Sequence, residues 1–216
     1  ASERFKKICM KEAMERLRMS PWLHGYQMLQ LADCDHYENP NGILDCFDEP
    51  KEVFATVFRE MNKDFVILAD FPKKCLAAGT PFNVDIYSSN YGSDFDYLDL
   101  KIKVFRGADL VLEHAFDNVL VRKSGVNKIL QLKLAVESAA PAACRMELEG
   151  FADGKRMVRN EWNFWVFPAS EKEDILKFLE GENVTDKIDE EILKSLEKGG
   201  KHLFVFNPAR PLGKSG

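Results

Sequence analysis

The spacing of apolar positions changes twice along the chain and divides it into three stretches. Over residues 2–19, Phe5, Ile8, Cys9, Ala13 and Leu17 recur near helical spacing with Lys and Arg on the other face, which predicts an amphipathic helix. After Ser20-Pro21 the run Gly25-Tyr26-Gln27-Met28-Leu29-Gln30-Leu31-Ala32 is short and strand-like, with apolar residues not confined to one face. A polar loop, Asp33-Cys34-Asp35-His36-Tyr37-Glu38-Asn39-Pro40-Asn41-Gly42, follows, then Ile43-Leu44-Asp45 and a helix expected over 50–61. A helix followed by a buried strand is half of a β/α unit and makes no domain alone.

From Phe65 the period becomes two, which marks half-buried strands and a domain boundary near residue 63. Phe82, Val84 and Ile86 alternate with polar neighbours, as do Leu98, Leu100, Ile102 and Val104. The alternation continues through Leu110 and Leu112, Leu130 to Val136, Cys144 to Leu148, and Trp162, Phe164 and Val166; with Phe65 to Ala69 this makes about seven strands. Turn signals separate them, among them Ala78-Gly79, Arg106-Gly107, Ser124-Gly125 and Asp153-Gly154. The expected fold class is therefore mainly β, an immunoglobulin- or fibronectin-like sandwich over residues 64–168. The Cys, Trp, Cys spacing of antibody domains is missing, so the expectation covers the architecture and not that family.

Past Pro168 the period changes again. A strand is expected over 175–179, a helix over 187–198 capped by Asp186 and stopped by Gly199-Gly200, and a buried strand over 201–206. This tail, 169–216, has the pattern of the start of an α/β (βαβ) domain.

Composition narrows the function classes. With 216 residues and 45% hydrophobic content the chain can bury a substantial core, as one large domain or one domain with two partial ones. The formal net charge of -5 comes from intermixed acids and bases without a basic stripe, so no nucleic acid is expected as partner. No apolar run approaches the roughly 20 residues that cross a bilayer, and the opening ASERFKKICM has no apolar signal core; the expectation is a soluble chain without a membrane partner. Cys9, Cys34, Cys46, Cys75 and Cys144 are odd in number and far apart, which favours free thiols over a disulfide framework.

The acidic loop is the sharpest candidate site. Asp33, Asp35, Glu38, Asp45, Asp48 and Glu49 surround His36 and Tyr37, and carboxylates can serve as acid, base, nucleophile or cation ligand. If the strand over 25–32 belongs to a β/α barrel, Asp33, Asp35 and His36 sit at its catalytic rim; otherwise they belong to a solvated loop with helix-capping acids. Cys34, His36 and Cys46 lack metal-ligand spacing, and the loop lacks the register of a calcium-binding EF-hand, so no metal is expected. Gly213-Lys214-Ser215 resembles the end of a phosphate loop, but Pro208 stands where its first glycine is needed. Asn183-Val184-Thr185 is a glycosylation sequon of low specificity. Trp162 and Trp165 differ by three positions and so face opposite ways in a strand, which argues against a shared sugar-stacking platform.

The runs 25–33 and Gly42-Ile43-Leu44-Asp45, and the closing strand Asn160-Glu161-Trp162-Asn163-Phe164-Trp165-Val166-Phe167-Pro168, resemble bacterial glycoside hydrolase family 2-like (β-galactosidase-like) proteins. In those proteins a catalytic (β/α)8 barrel is followed by a β-sandwich, and an α/β region can follow. The resemblance covers roughly residues 5 to 206 and implies that 1–63 are the last helix and strand of such a barrel with its return segment. Enzymes of this kind use two carboxylates from earlier barrel strands, about 5 Å apart in the retaining mechanism. The resemblance therefore carries no catalytic residue onto this chain. It leaves substrate contact at the rim, with Gln30, Asp33, Asp35 and His36 as the substrate-binding candidates, although relatives have a Gly-rich loop where this chain has Cys34 to Asn39. The implied role is a non-catalytic, domain-positioning C-terminal portion of a periplasmic or extracellular bacterial glycosidase, with carbohydrate and neighbouring domains as partners and no cofactor. The alternatives are a carbohydrate-binding module and a purely structural spacer; Tyr87, Tyr91 and Tyr97 discriminate them, since exposed and coplanar rings favour binding and scattered ones favour spacing.

Overall fold

Eight strands between Phe65 and Phe167 pair into two sheets in the computed structural model, which describes residues 2–23, 25–34, 41–168, 184–185 and 188–204. They are β1 (Phe65–Asp70), β2 (Cys75–Ala77), β3 (Phe82–Asn90), β4 (Tyr97–Arg106), β5 (Asp109–Leu120), β6 (Gly125–Leu134), β7 (Ala142–Ala152) and β8 (Lys155–Phe167). One sheet has the order β1-β3-β6 and the other β2-β8-β7-β4-β5. The fold is the mainly β sandwich that the alternation predicts.

The additional strand is β2, whose three residues are too few to show a period. It exists because the chain changes sheets after β1. β1 runs antiparallel to β3, with Phe65 opposite Asn90, whereas β2 runs parallel to β8, with Cys75 opposite Trp165. Pro72 lies in the crossing, where the missing N–H removes no ladder bond.

Inward-facing residues of both sheets form one core. Leu98, Leu100, Ile102 and Val104 of β4 meet Met146 and Leu148 of β7, Trp162, Phe164 and Val166 of β8, and Ile67, Val84, Ile86 and Leu134 from the opposite sheet. Phe164 is fully buried, its ring 5.7 Å from Phe71 and 6.0 Å from Phe82; burial of such a side chain contributes about 1.5–3 kcal/mol. Gly150 is required by this packing, since a Cβ there would lie 2.8 Å from Val158 Cγ1 and 3.1 Å from Leu98 Cδ1.

The segment before β1 holds a second, smaller core. Helix α1 (Ser2–Met19) contributes Met14, the strip after the acidic loop contributes Ile43, and helix α2 (residues 52–61, π-helical over Phe54–Phe58) contributes Val53, Val57 and Met61. Residues Ala1–Pro168 nevertheless form one compact unit.

Two features of this segment differ from the sequence expectation. The stripe of α1 built from Phe5, Ile8, Cys9 and Ala13 is exposed; the covered side carries Met10, Lys11, Met14, Glu15 and Arg18. Polar anchoring, described below, outweighs the apolar moment of the helix. Residues 25–31 form no strand: Gln30 has a positive φ of 55°, which breaks an extended run, and pairing is limited to a parallel bridge between Ala32 and Leu44.

Residues Ala169–Gly216 form the other compact unit. Strands β9 (Val184–Thr185) and β10 (Leu203–Phe204) pair in parallel, with helix α3 (Glu190–Glu197) between them in sequence, a βαβ connection. Asp189 caps α3 by accepting from the Ile192 N–H at 3.0 Å. The strand expected over 175–179 and the cap expected at Asp186 lie outside the described residues.

Candidate functional site

Of the four substrate-contact candidates, Asp35 and His36 lie outside the described residues. Gln30 is half-buried at the strained position noted above. Asp33 has both carboxylate oxygens engaged: Oδ1 accepts the Gly42 N–H at 2.8 Å and Oδ2 pairs with Lys51, whose amine is largely buried with it. The same knot holds Lys6, which donates to the Gly42 carbonyl at 2.7 Å. Burial opposes ionisation of Asp33, but the Lys51 and Gly42 hydrogen bonds outweigh it and lower the carboxyl pKa. The Lys51 amine likewise loses solvation, yet its bond to Asp33 raises its pKa. Gly42 has no room for a side chain, since a Cβ would lie 2.6 Å from the Ala32 carbonyl carbon and from the Asp33 nitrogen. The arrangement staples the two ends of the loop to α1 and to the start of α2.

A second polar cluster joins α1 to the sandwich. Glu15 is 3% exposed and receives the Trp162 indole N–H at 3.1 and 3.0 Å, an Asn160 amide N–H at 2.8 Å and the Lys11 amine. Asn160 also donates to the Ile67 carbonyl at 2.8 Å, and Lys11 lies 5.1 Å above the Trp162 ring. Beside it, the half-buried Lys74 amine sits 4.3 Å over the Phe71 ring, and burial lowers its pKa. Apart from Lys11 one turn away, an ordinary helix pair, the partners of Glu15 are 145 and 147 residues away, so no local signal in the sequence marks its burial.

Arg18 is the second anchor. Its five N–H donors reach Ser89 Oγ at 3.1 Å, the carbonyls of Met61 at 3.3 Å and Lys63 at 2.8 Å, and those of Asp64 at 3.5 Å and Ser89 at 3.3 Å. One side chain thus ties the end of α1 to the end of α2, the linker and β3. Its guanidinium also lies 5.7 Å from the ring of Tyr91.

Beside Arg18 opens a cleft of about 440 Å³, lined by Leu17, Arg18, Leu23, Gly25, Tyr26, Asn62 and Tyr91. The Tyr26 hydroxyl donates to Asn62 Oδ1 at 2.7 Å, and burial raises its pKa against the lowering effect of Arg18. Tyr91 is 53% exposed. Of the other tyrosines singled out from sequence, Tyr87 is half-buried on β3, and Tyr97 is exposed at the start of β4 in the opposite sheet. Among the described residues no group of three or more His, Cys, Asp or Glu could hold a metal ion, and no helix is long and apolar enough to cross a membrane.

No protein-family model and no curated protein matches the chain. Among solved structures it has weak, low-coverage similarity to the β-glucuronidase of Parabacteroides merdae, with 15% identity and a TM-score of 0.33 over 45% of this chain and 14% of that chain. The superoxide reductase (neelaredoxin) of Ignicoccus hospitalis matches with 8% identity and a TM-score of 0.34, over 47% of this chain and 80% of that one. The sporulation control protein Spo0M of Bacillus subtilis matches with 8% identity and a TM-score of 0.35, over 56% of this chain and 61% of that one. The matched part thus spans 14% of the length of the β-glucuronidase.

Proposed function

We propose that this chain is a non-catalytic, domain-positioning portion of a carbohydrate-active protein of the glycoside hydrolase type. The observation that carries the positioning role is the concentration of exposed large apolar side chains before the sandwich: Phe5, Ile8, Trp22, Leu29, Leu31 and Phe47, with Trp22 85% and Phe47 81% exposed. Exposed apolar surface on this scale is what a neighbouring domain covers. Glu15 and Arg18 then transmit such a contact to the sandwich, because they fix α1 to β8 and β3. The glycosidase setting is supported by the residue resemblance over 25–33, 42–45 and 160–168, and a periplasmic or extracellular location belongs to the same reading. Rim contact by Gln30, Asp33, Asp35 and His36 remains part of it, with Asp33 acting through the position it gives the loop. The two carboxylates whose surroundings are best defined, Glu15 and Asp33, are both tied to lysines, which suits a structural role and not acid/base work.

Two measurements test this. The chain should release no aryl alcohol from chromogenic glycosides, and amide hydrogen exchange should show α1 as strongly protected as β8. Turnover, or α1 amides exchanging orders of magnitude faster than those of β8, would overturn it.

A further inference from the structure

We propose that the cleft between Tyr26 and Tyr91 binds a neutral pyranose ring, an inference that rests on the carbohydrate-associated reading above and gives this chain its own saccharide site. Its volume of about 440 Å³ falls within the range of small-ligand pockets. Its lining decides the class of ligand. No carboxylate lines it among the described residues, and the single cation, Arg18, spends all five N–H donors on protein acceptors. An anion would therefore find no free donor on the guanidinium, and a cation no counter-charge. What the cleft offers is two tyrosyl rings, the side chains of Leu17 and Leu23, the Tyr91 hydroxyl and the Asn62 amide N–H groups. A pyranose matches this set, because one ring carries an apolar C–H face for stacking and neutral hydroxyls at its edge for hydrogen bonds.

The walls are set in advance. Tyr91 packs on an Arg18 that its own hydrogen bonds immobilise, and Tyr26 is held through Asn62, so little side-chain freedom is lost on binding. A Cβ at Gly25 would meet nothing within 4 Å, so a larger side chain there would project into open space beside the cleft. The other exposed aromatic pair, Trp165 and Phe167, shares one face of β8, but its cross-strand neighbours Cys75, Ala77 and Ala143 supply no strong hydrogen-bonding side chain. That pair offers stacking alone.

The test is a ¹H–¹⁵N titration of the full chain with lactose, cellobiose and maltose. At least one disaccharide should bind with a millimolar or tighter Kd and shift the amides of Tyr26, Asn62 and Tyr91. Tyr91→Ala should weaken it by about tenfold or more. Gly25→Leu, which fills open space without touching the anchors, should block binding while leaving the fold intact, and Trp165→Ala should leave Kd unchanged. Absence of binding by all three sugars, indifference to both cleft variants, or loss of binding in Trp165→Ala would overturn the proposal. A chain that binds no sugar while α1 stays protected from exchange loses this site and keeps the positioning role. Sugar binding at Tyr91 in a chain whose α1 exchanges freely has the reverse meaning.

Discussion

Both carboxylate oxygens of Glu15 accept the indole N–H of Trp162, at 3.1 and 3.0 Å, so the first helix and the last strand of the sandwich share a buried hydrogen bond across 147 residues. Glu15→Ala would leave that N–H and one Asn160 N–H without an acceptor and Lys11 without its counter-charge. Orphaned buried groups of this kind cost about 3 kcal/mol together. Urea unfolding followed by tryptophan fluorescence should show the midpoint falling with an unchanged slope. Pairing this variant with Trp162→Phe in a double-mutant cycle should return a coupling of about 1 kcal/mol or more. Additive losses would mean that the two side chains are neighbours without being partners.

Arg18→Lys tests the second anchor. Lysine keeps the charge but has three donors on one nitrogen and cannot reach five acceptors spread over α2, the linker and β3. A loss of about 2 kcal/mol is expected, since the part-buried acceptors at Met61 and Ser89 lose their donor. Hydrogen exchange should locate the change: α1 and α2 should lose protection, whereas the β4 and β7 amides should keep theirs. Uniform loss across both sheets would place the anchor's role elsewhere.

These anchors also mark how far the sequence was legible. Strands β3, β4, β7, β8 and the second half of β6 show in the sequence because one face of each packs into a single core, which writes period two into the residues; in β5 only Leu112, Phe116 and Val119 are partly covered, and Leu110, expected on the core face, is exposed. β2 does not, because three residues paired at an edge carry no period. α1 is legible as a helix, but its buried side is not: Phe5 and Ile8 form the more apolar stripe, yet the long-range bonds of Glu15 and Arg18 turn the other side inward. Partners as distant as Trp162 and Ser89 leave no mark in local spacing. The 25–32 run is misleading for a related reason, since Leu29 and Leu31 look like core residues and are exposed. Of the candidate site, Asp33 was visible as an acid in a polar loop, but its engagement by Lys51 and Gly42 depends on how the loop closes. Tyr26 and Asn62 meet only because α1 and α2 are pinned together.

The Asp33–Lys51 pair gives a pH dependence with a defined sign. Asp33 has a lowered pKa in the folded chain, so it binds protons more weakly there than in the unfolded state. Its contribution is fully present above the unfolded carboxyl value of about 3.9 and is lost as pH falls through the lower folded value. Lys51 has a raised pKa, so its contribution is present below about 10.4 and is lost as pH rises through the higher folded value. Asp33→Asn should lower stability at neutral pH and flatten the acid limb of the stability curve. Gly42→Ala should cost stability and flatten the acid limb only in part, because its Cβ collides with the backbone at 2.6 Å and with Asp33 Oδ1 at 2.8 Å, disturbing one of the two hydrogen bonds that lower the Asp33 pKa while Lys51 remains. Stability curves from pH 2 to 7 for the three proteins distinguish the cases, and parallel acid limbs for wild type and Asp33→Asn would refute the assignment.

The five cysteines separate by burial, which predicts their order of reaction. Cys9, Cys46 and Cys75 are exposed, Cys34 is half-covered, and Cys144 is buried between the sheets. Thiols react as thiolates, and burial raises the Cys144 pKa against the lowering effect of Arg106, so this thiol is both shielded and protonated at neutral pH. Titration with a chromogenic disulfide at about pH 8 should show a fast phase from the exposed three, a slower one from Cys34, and a last one from Cys144. That last phase should follow global unfolding, because β7 is paired on both sides and has no local route to open. It should therefore accelerate in Glu15→Ala in proportion to the stability lost, while the fast phase stays unchanged. Peptide mapping after partial labelling assigns the phases, and rapid labelling of Cys144 in the native chain would contradict the core described here.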